Sequence, residues 1–191
     1  ALIKLAPVAG NVELAREFLE AVKPASISRF ESQTIRETIG RLRAQAVRQT
    51  RAEEDIKSGE GGIRDIEFLV QGLQMIHAAD EPEILTGNTL VAIDRLATAA
   101  ILDEATQREL RDDYTRLRRV EHFLQVHEDR QVHALPGDRS DRAALARRLD
   151  GADADGASLD ADLARRRERI HARFRRFIEE TGATGSPQSD G

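Results

Sequence analysis

The run Gly59-Glu60-Gly61-Gly62-Ile63-Arg64-Asp65-Ile66-Glu67 concentrates more chemistry than any other stretch of this sequence. Glycines ahead of a helix can leave backbone N–H groups facing outward. The helix start adds a partial positive charge, and Arg64 adds a full one. Gly61, Gly62 and Arg64 together could hold a phosphate or a carboxylate. The run lacks the Lys-Ser/Thr of a phosphate-binding P-loop, and no strand precedes it. By residue type alone it is first a flexible turn between two helices, and second an anion site.

Two polar stripes follow. Arg64, Glu67, Gln71 and Gln74 fall on one face of a helix, and Arg118, Glu121, Gln125 and Glu128 repeat the R-x-x-E-x-x-x-Q pattern farther along. Such stripes are either solvated faces, where an Arg–Glu pair contributes little, or two sides of a polar cleft. In a cleft, glutamines donate and accept while arginines hold anions. The segment Asp129-Arg130-Gln131-Val132-His133-Ala134-Leu135-Pro136 places an acid, an amide and a histidine at alternate positions. Extended, Asp129, Gln131 and His133 would point to one side and orient a substrate. No third ligand accompanies them, so a capping and turn role is plainer than a metal site. His77, His122 and His127 lie among charged neighbours and read as surface or satisfied polar residues. Arg165, Arg166, Arg167, Arg169, Arg173, Arg175 and Arg176 interleave with Asp160, Asp162, Glu168, Glu179 and Glu180, as on a salt-bridged, solvated face.

The elements that must position these groups are helices, because apolar residues recur at the helical period. Asn11 should cap a first helix reaching about Val22 and stopping near Pro24. A second should run from Ser32 to Asp55, burying Ile35, Ile39, Leu42 and Ala46, with Arg36, Arg41, Arg43, Arg48 and Arg51 on its other faces. The third, Ile63 to His77, turns Ile66, Leu69, Val70, Leu73 and Ile76 inward. Thr86 or Asn88 should cap a fourth, which buries Leu90, Ile93, Leu96, Ala97 and Ile101. Asp103 should cap a fifth reaching Glu128, with Leu110, Tyr114, Leu117, Val120 and Leu124 inside. A short helix begins near Ser140. Ser158 should cap a last one carrying Leu163, Ile170, Phe174, Phe177 and Ile178. Only Leu2 to Leu5 is strand-like. The fold class expected is all-α, a bundle of about six to seven helices with a short N-terminal strand remnant. The expected division is a remnant of another domain over 1–24, the bundle over 25–180 and a disordered tail over 181–191.

Composition agrees. The chain has 191 residues, 40% hydrophobic and 33% charged, enough apolar surface for a core and enough charge for long solvated helices. A net charge of -5 gives no general attraction to nucleic acid or anionic membrane. With no cysteine there is no disulfide framework, which fits the cytoplasm. No apolar run approaches a membrane span, and the start, which lacks Met, reads as that of a piece cut from a longer protein.

Read in order, these segments resemble the bacterial glutamine-synthetase adenylyltransferases. Gly61-Gly62-Ile63-Arg64-Asp65-Ile66-Glu67-Phe68-Leu69-Val70-Gln71 resembles one family signature. Leu117-Arg118-Arg119-Val120-Glu121-His122-Phe123-Leu124-Gln125 resembles a second, and residues 129–136 a third. Ile3 to Gly10 is similar to the closing strand of the family's catalytic domain. The resemblance covers nearly the whole chain. It departs at Ala6, where the family usually has Arg, and at Ala25 to Phe30, which replace an aromatic-rich stretch.

The resemblance implies a helical domain following the nucleotidyltransferase domain of the N-terminal half. That half removes AMP from a tyrosine of glutamine synthetase by phosphorolysis, and the C-terminal half adds AMP from ATP. The parent enzyme would use Mg2+ with ATP, ADP and phosphate, with glutamine synthetase and the PII signal protein as partners. A nucleotidyltransferase also needs a Gly-Ser turn and an Asp-x-Asp pair. Neither stands here at a suitable site, so this piece alone is expected to be inactive and to bind no cofactor by itself. Gly61, Gly62, Arg64, Asp65, Glu67, Gln71, Arg118, Glu121, Gln125, Asp129, Gln131 and His133 are the expected cleft residues. The alternatives are a docking module for glutamine synthetase or PII, and the helical domain of the related PII-uridylyltransferases.

Overall fold

A computed structural model of the chain describes residues 9–27, 31–48, 55–128 and 134–180. Seven α-helices form among them: α1 (Val12–Ser26), α2 (Ser32–Arg48), α3 (Ile63–His77), α4 (Thr89–Thr98), α5 (Glu104–Glu128), α6 (Arg139–Asp150) and α7 (Gly156–Glu179). Among the described residues no strand or sheet forms. A single isolated bridge pairs Asp55 with Ala134. The all-α expectation holds. The expected strand at Leu2–Leu5, the 129–133 segment and the tail from Thr181 lie outside the described residues.

Short polar side chains start the helices by accepting orphan backbone N–H groups. Asn11 accepts from Glu13 and Leu14, at 2.9 and 3.2 Å. Asn88, rather than Thr86, caps α4 by accepting from Leu90 and Val91. Asp103 accepts from the Thr106 amide at 2.8 Å.

Three helix boundaries differ from the sequence reading. Pro24 lies inside α1, whose last turn closes around it. Proline there removes only one donor, which a chain near its helix end can spare. The second helix is described as far as Arg48 and does not include Asp55, which is drawn into its bridge with Ala134. At α7 the cap is Asp155, not Ser158. The carboxylate accepts both the Ser158 amide and the Ser158 hydroxyl, at 2.8 and 2.9 Å.

Helix α3 is the hub, packed against α2, α4, α5 and α7. Ile63, Ile66, Ile93, Leu96, Leu110, Leu117, Val120 and Ile170 are buried at its contacts. Gly72 marks where α2, α3 and α7 meet. A Cβ there would come within 2.4 Å of the Phe177 ring and 2.8 Å of Ile39. Two expectations for α2 reverse. Leu42 is 48% exposed, while Arg36 and Arg43 are buried. Arg36 lies over the Phe177 ring at 5.3 Å. It donates to the Phe177 carbonyl and the Glu180 carboxylate, at 2.8 and 2.7 Å. A guanidinium at the last turn of α7 satisfies a carbonyl that the helix leaves open. None of the described α1 side chains is buried, and Val12, Leu14 and Phe18 are among the most exposed apolar groups.

Candidate functional site

The glycine-rich turn is built from the inside. Asp65 is completely buried and forms an ion pair with Arg43 of α2. The same guanidinium donates to the Ser58 and Gly59 carbonyls, each at 3.0 Å. Gly61 donates its amide to Asp65 Oδ2 at 2.7 Å, and Gly62 donates to the Gly59 carbonyl at 3.0 Å. The next two amides, of Ile63 and Arg64, donate to the carbonyls of Ile56 and Lys57. Gly61 has φ +67, and a Cβ would lie 2.0 Å from the Arg167 carbonyl of α7. The glycines are therefore explained by backbone crowding and a left-handed turn. The Gly61 and Gly62 amides are committed inside the turn. What remains of the expected anion cradle is the Arg64 guanidinium, which makes no hydrogen bond or ion pair among the described residues.

The two stripes meet. Arg118 of α5 donates to Glu67 of α3 at 2.8 Å and to Glu121 at 2.7 Å. Its Nε donates to the Tyr114 hydroxyl at 3.1 Å, and that hydroxyl donates to Glu67 at 3.2 Å. Lys57 adds an ion pair to Glu121 at 3.1 Å. Burial works against the Arg118 charge, but hydrogen bonds to Glu121 and Tyr114 raise its pKa above that of an ordinary arginine. Burial likewise pushes Glu121 up, and hydrogen bonds from Arg118 and Lys57 overcome it, leaving the carboxyl below its usual range. Among the described residues two cations and two anions thus form a cluster joining α3, α5 and the glycine turn. An Arg118 so engaged acts as a joint between helices, and Arg64 is the cation of the groove lining that has no ion pair among the described residues.

Beside the cluster runs a groove of about 400 Å³ between α2 and α3, lined by Leu42, Gln45, Ala46, Arg64, Glu67, Phe68 and Gln71. Of the expected site, the structure brings Arg64, Glu67 and Gln71 to this groove and ties Arg118 and Glu121 to it through Glu67. Gln125 is partly buried farther along α5 and lines no part of the groove. Gln74, expected on the polar stripe, is buried and donates to the Ile84 and Thr86 carbonyls, at 2.7 and 3.1 Å. Asp65 is a structural ion-pair partner. Asp129, Gln131 and His133 lie outside the described residues, although Ala134 ends their segment against Asp55.

Sequence reasoning missed Lys57 and Arg43, which only the fold brings to the cluster and the turn. It placed Tyr114 in the core without its hydroxyl's role. The spacing of Tyr114 four residues before Arg118 was the available signal. Among the described residues no three His, Asp or Glu side chains gather as a metal site. No helix among them is long and apolar enough to cross a membrane.

Comparison with known proteins places the chain in a family. The family model described as GlnD PII-uridylyltransferase matches residues 29–178. The bifunctional glutamine synthetase adenylyltransferase/adenylyl-removing enzyme of Stenotrophomonas maltophilia (strain K279a) is 34% identical over 193 residues, covering 99% of this chain and 20% of that protein. Its namesake in Xanthomonas axonopodis pv. citri (strain 306) is 37% identical over 182 residues, 93% of this chain and 19% of that protein. That of Streptomyces coelicolor is 32% identical over 152 residues, 78% of this chain and 15% of that protein. The chain spans about a fifth of the length of the first two of these relatives. The family model and the relatives agree, and the chain belongs to the PII-uridylyltransferase/glutamine-synthetase adenylyltransferase family.

Proposed function

We propose that this chain is the helical domain of a cytoplasmic glutamine-synthetase adenylyltransferase/adenylyl-removing protein, and that it forms one wall of the nucleotide and substrate cleft. The observation that carries this reading is the Glu67–Arg118 contact, which joins the two polar stripes across α3 and α5. A wall must be rigid and polar, and a mutually bonded cluster of charges is both. Arg64 supplies the charge at the wall's surface, for the phosphate of a nucleotide or the inorganic phosphate that accepts AMP. The reaction transfers AMP from ATP to a tyrosine oxygen of glutamine synthetase, releasing pyrophosphate. In reverse function, phosphate attacks the AMP phosphorus and yields ADP and free tyrosine. Mg2+ and the acids that hold it belong to another part of the polypeptide, and no residue of this chain is assigned to the metal.

The test is Arg64→Ala in the full-length polypeptide. Loss of one charge-assisted contact should lower kcat/KM for AMP removal or transfer by about tenfold or more, with unfolding unchanged. Calorimetry with ADP, ATP and phosphate should show binding only where the catalytic domain is present. Unaltered turnover in Arg64→Ala would falsify the wall reading. A second reading, a docking module for glutamine synthetase or PII, is favoured by the apolar side chains that α1 leaves exposed. It predicts that Phe18→Ser weakens association with one of those proteins and leaves the chemical step intact.

A further inference from the structure

Across α5 to α7 many arginines are matched by acids. Arg116 pairs with Asp150 and Asp162, Arg166 with Asp112, Asp113 and Asp162, and Arg142 with Asp160. The outer face of α2 carries two arginines that are not. Arg41 and Arg48 are exposed and make no ion pair among the described residues; Arg41 donates only to the Thr38 hydroxyl, at 3.2 Å. Leu42 and the Gln45 amide stand between them, Leu42 at 48% exposure. Together with Thr38 and Ala44 they line a groove of about 470 Å³. Leu42 and Gln45 also line the groove that holds Arg64. In a chain of net charge -5, unmatched arginines framing an exposed apolar side chain have the composition of an interface centre.

We infer that the outer face of α2 docks an acidic, extended segment of a partner protein. Arg41 and Arg48 are seven residues apart in one helix, which places them about 10 Å apart along its axis. In an extended polyproline-like segment, side chains three positions apart share a face and lie about 9 Å apart. The fitting motif is therefore acid-x-x-acid with an apolar residue between. Carboxylates sit on Arg41 and Arg48, the apolar side chain covers Leu42, and the Gln45 amide bonds the peptide backbone. The inference goes beyond the wall reading and does not depend on Arg64 meeting phosphate.

Fluorescence anisotropy tests it, with a labelled peptide containing Glu-Leu-Gly-Glu, a second with Gln for both Glu, and a third with Gly for Leu. The acidic peptide should bind with a Kd below about 1 mM, and the Gln peptide about tenfold more weakly or worse. The R41E/R48E variant should lose about tenfold or more and weaken the salt dependence. Both side chains are solvent-facing, so circular dichroism should be unchanged. Leu42→Ser should weaken binding while preserving the salt dependence. The inference is overturned by no binding of the acidic peptide at about 1 mM, by equal binding of the Gln peptide, or by an unaffected R41E/R48E. Preference for a single-stranded oligonucleotide over the acidic peptide would overturn it as well. R41E/R48E leaves Arg64 in place, so this outcome and the Arg64→Ala turnover result are independent.

Discussion

Three arginines show how one residue type takes different roles according to its surroundings. Arg43 is buried against Asp65 and two carbonyls, Arg118 bridges two helices, and Arg64 stands unmatched. Arg43→Ala should cost about 3–5 kcal/mol, because it strands a buried carboxylate. Arg64→Ala should stay within about 0.5 kcal/mol. Urea unfolding of the two variants measures the difference, and equal losses would contradict the assigned roles. His77 contributes a pH dependence just below neutrality. Burial lowers its pKa, the Arg36 charge lowers it further, and Asp80 and Glu180 oppose both. Its folded pKa thus lies below the unfolded value of about 6.5. The unfolded chain takes the proton first, so this contribution is full above about pH 6.5 and is lost as pH falls from there through the folded pKa. Replacing His77 with Gln should flatten the stability profile in that acidic window, and a profile of unchanged slope would assign it to other groups.

At the scale of elements, caps set the boundaries, and one of them is strained. After α4, Ala100 adopts φ 55, while the Ile101 amide reaches back to the Leu96 carbonyl at 2.9 Å. An L-residue in that left-handed position costs about 1–2 kcal/mol, and glycine avoids it. Ala100→Gly should therefore stabilise the protein, by up to about 1 kcal/mol after the added freedom of the unfolded chain. A lower urea midpoint would show that the turn is held without strain. The same local chemistry made Asn11, Asn88 and Asp103 legible as caps. Asp155 displaced Ser158 because an ionised carboxylate accepts the amide and the hydroxyl together.

At the scale of the molecule, the bundle closes where α2, α3 and α7 cross at Gly72. Gly72→Ala should destabilise by about 1–3 kcal/mol through overpacking against Phe177 and Ile39. Thermal unfolding reads the loss, and an added Phe177→Leu should restore part of it. No recovery would place the strain elsewhere. The crossing also sets the site. It brings α7 over the glycine turn, where Arg167 Nε donates to the Glu60 carbonyl at 2.9 Å. With the Glu67–Arg118 contact, it links the turn, the α3 stripe and the α5 stripe through hydrogen bonds.

The sequence by itself determined the helices, most of their caps and the inward faces of α3 and α5, because those follow from the helical period and from side chains reaching their own backbone. It also placed Arg64, Glu67, Arg118 and Glu121 on two stripes. Only the tertiary structure decided that the stripes touch, that Lys57 and Tyr114 complete the cluster, and that Arg36, Arg43, Asp65 and Gln74 turn inward. A charged or amide side chain reads as exposed by its type. Whether it is buried depends on carbonyls and counter-charges from distant segments, such as Ser58 for Arg43 and Ile84 for Gln74, and no local pattern encodes those meetings.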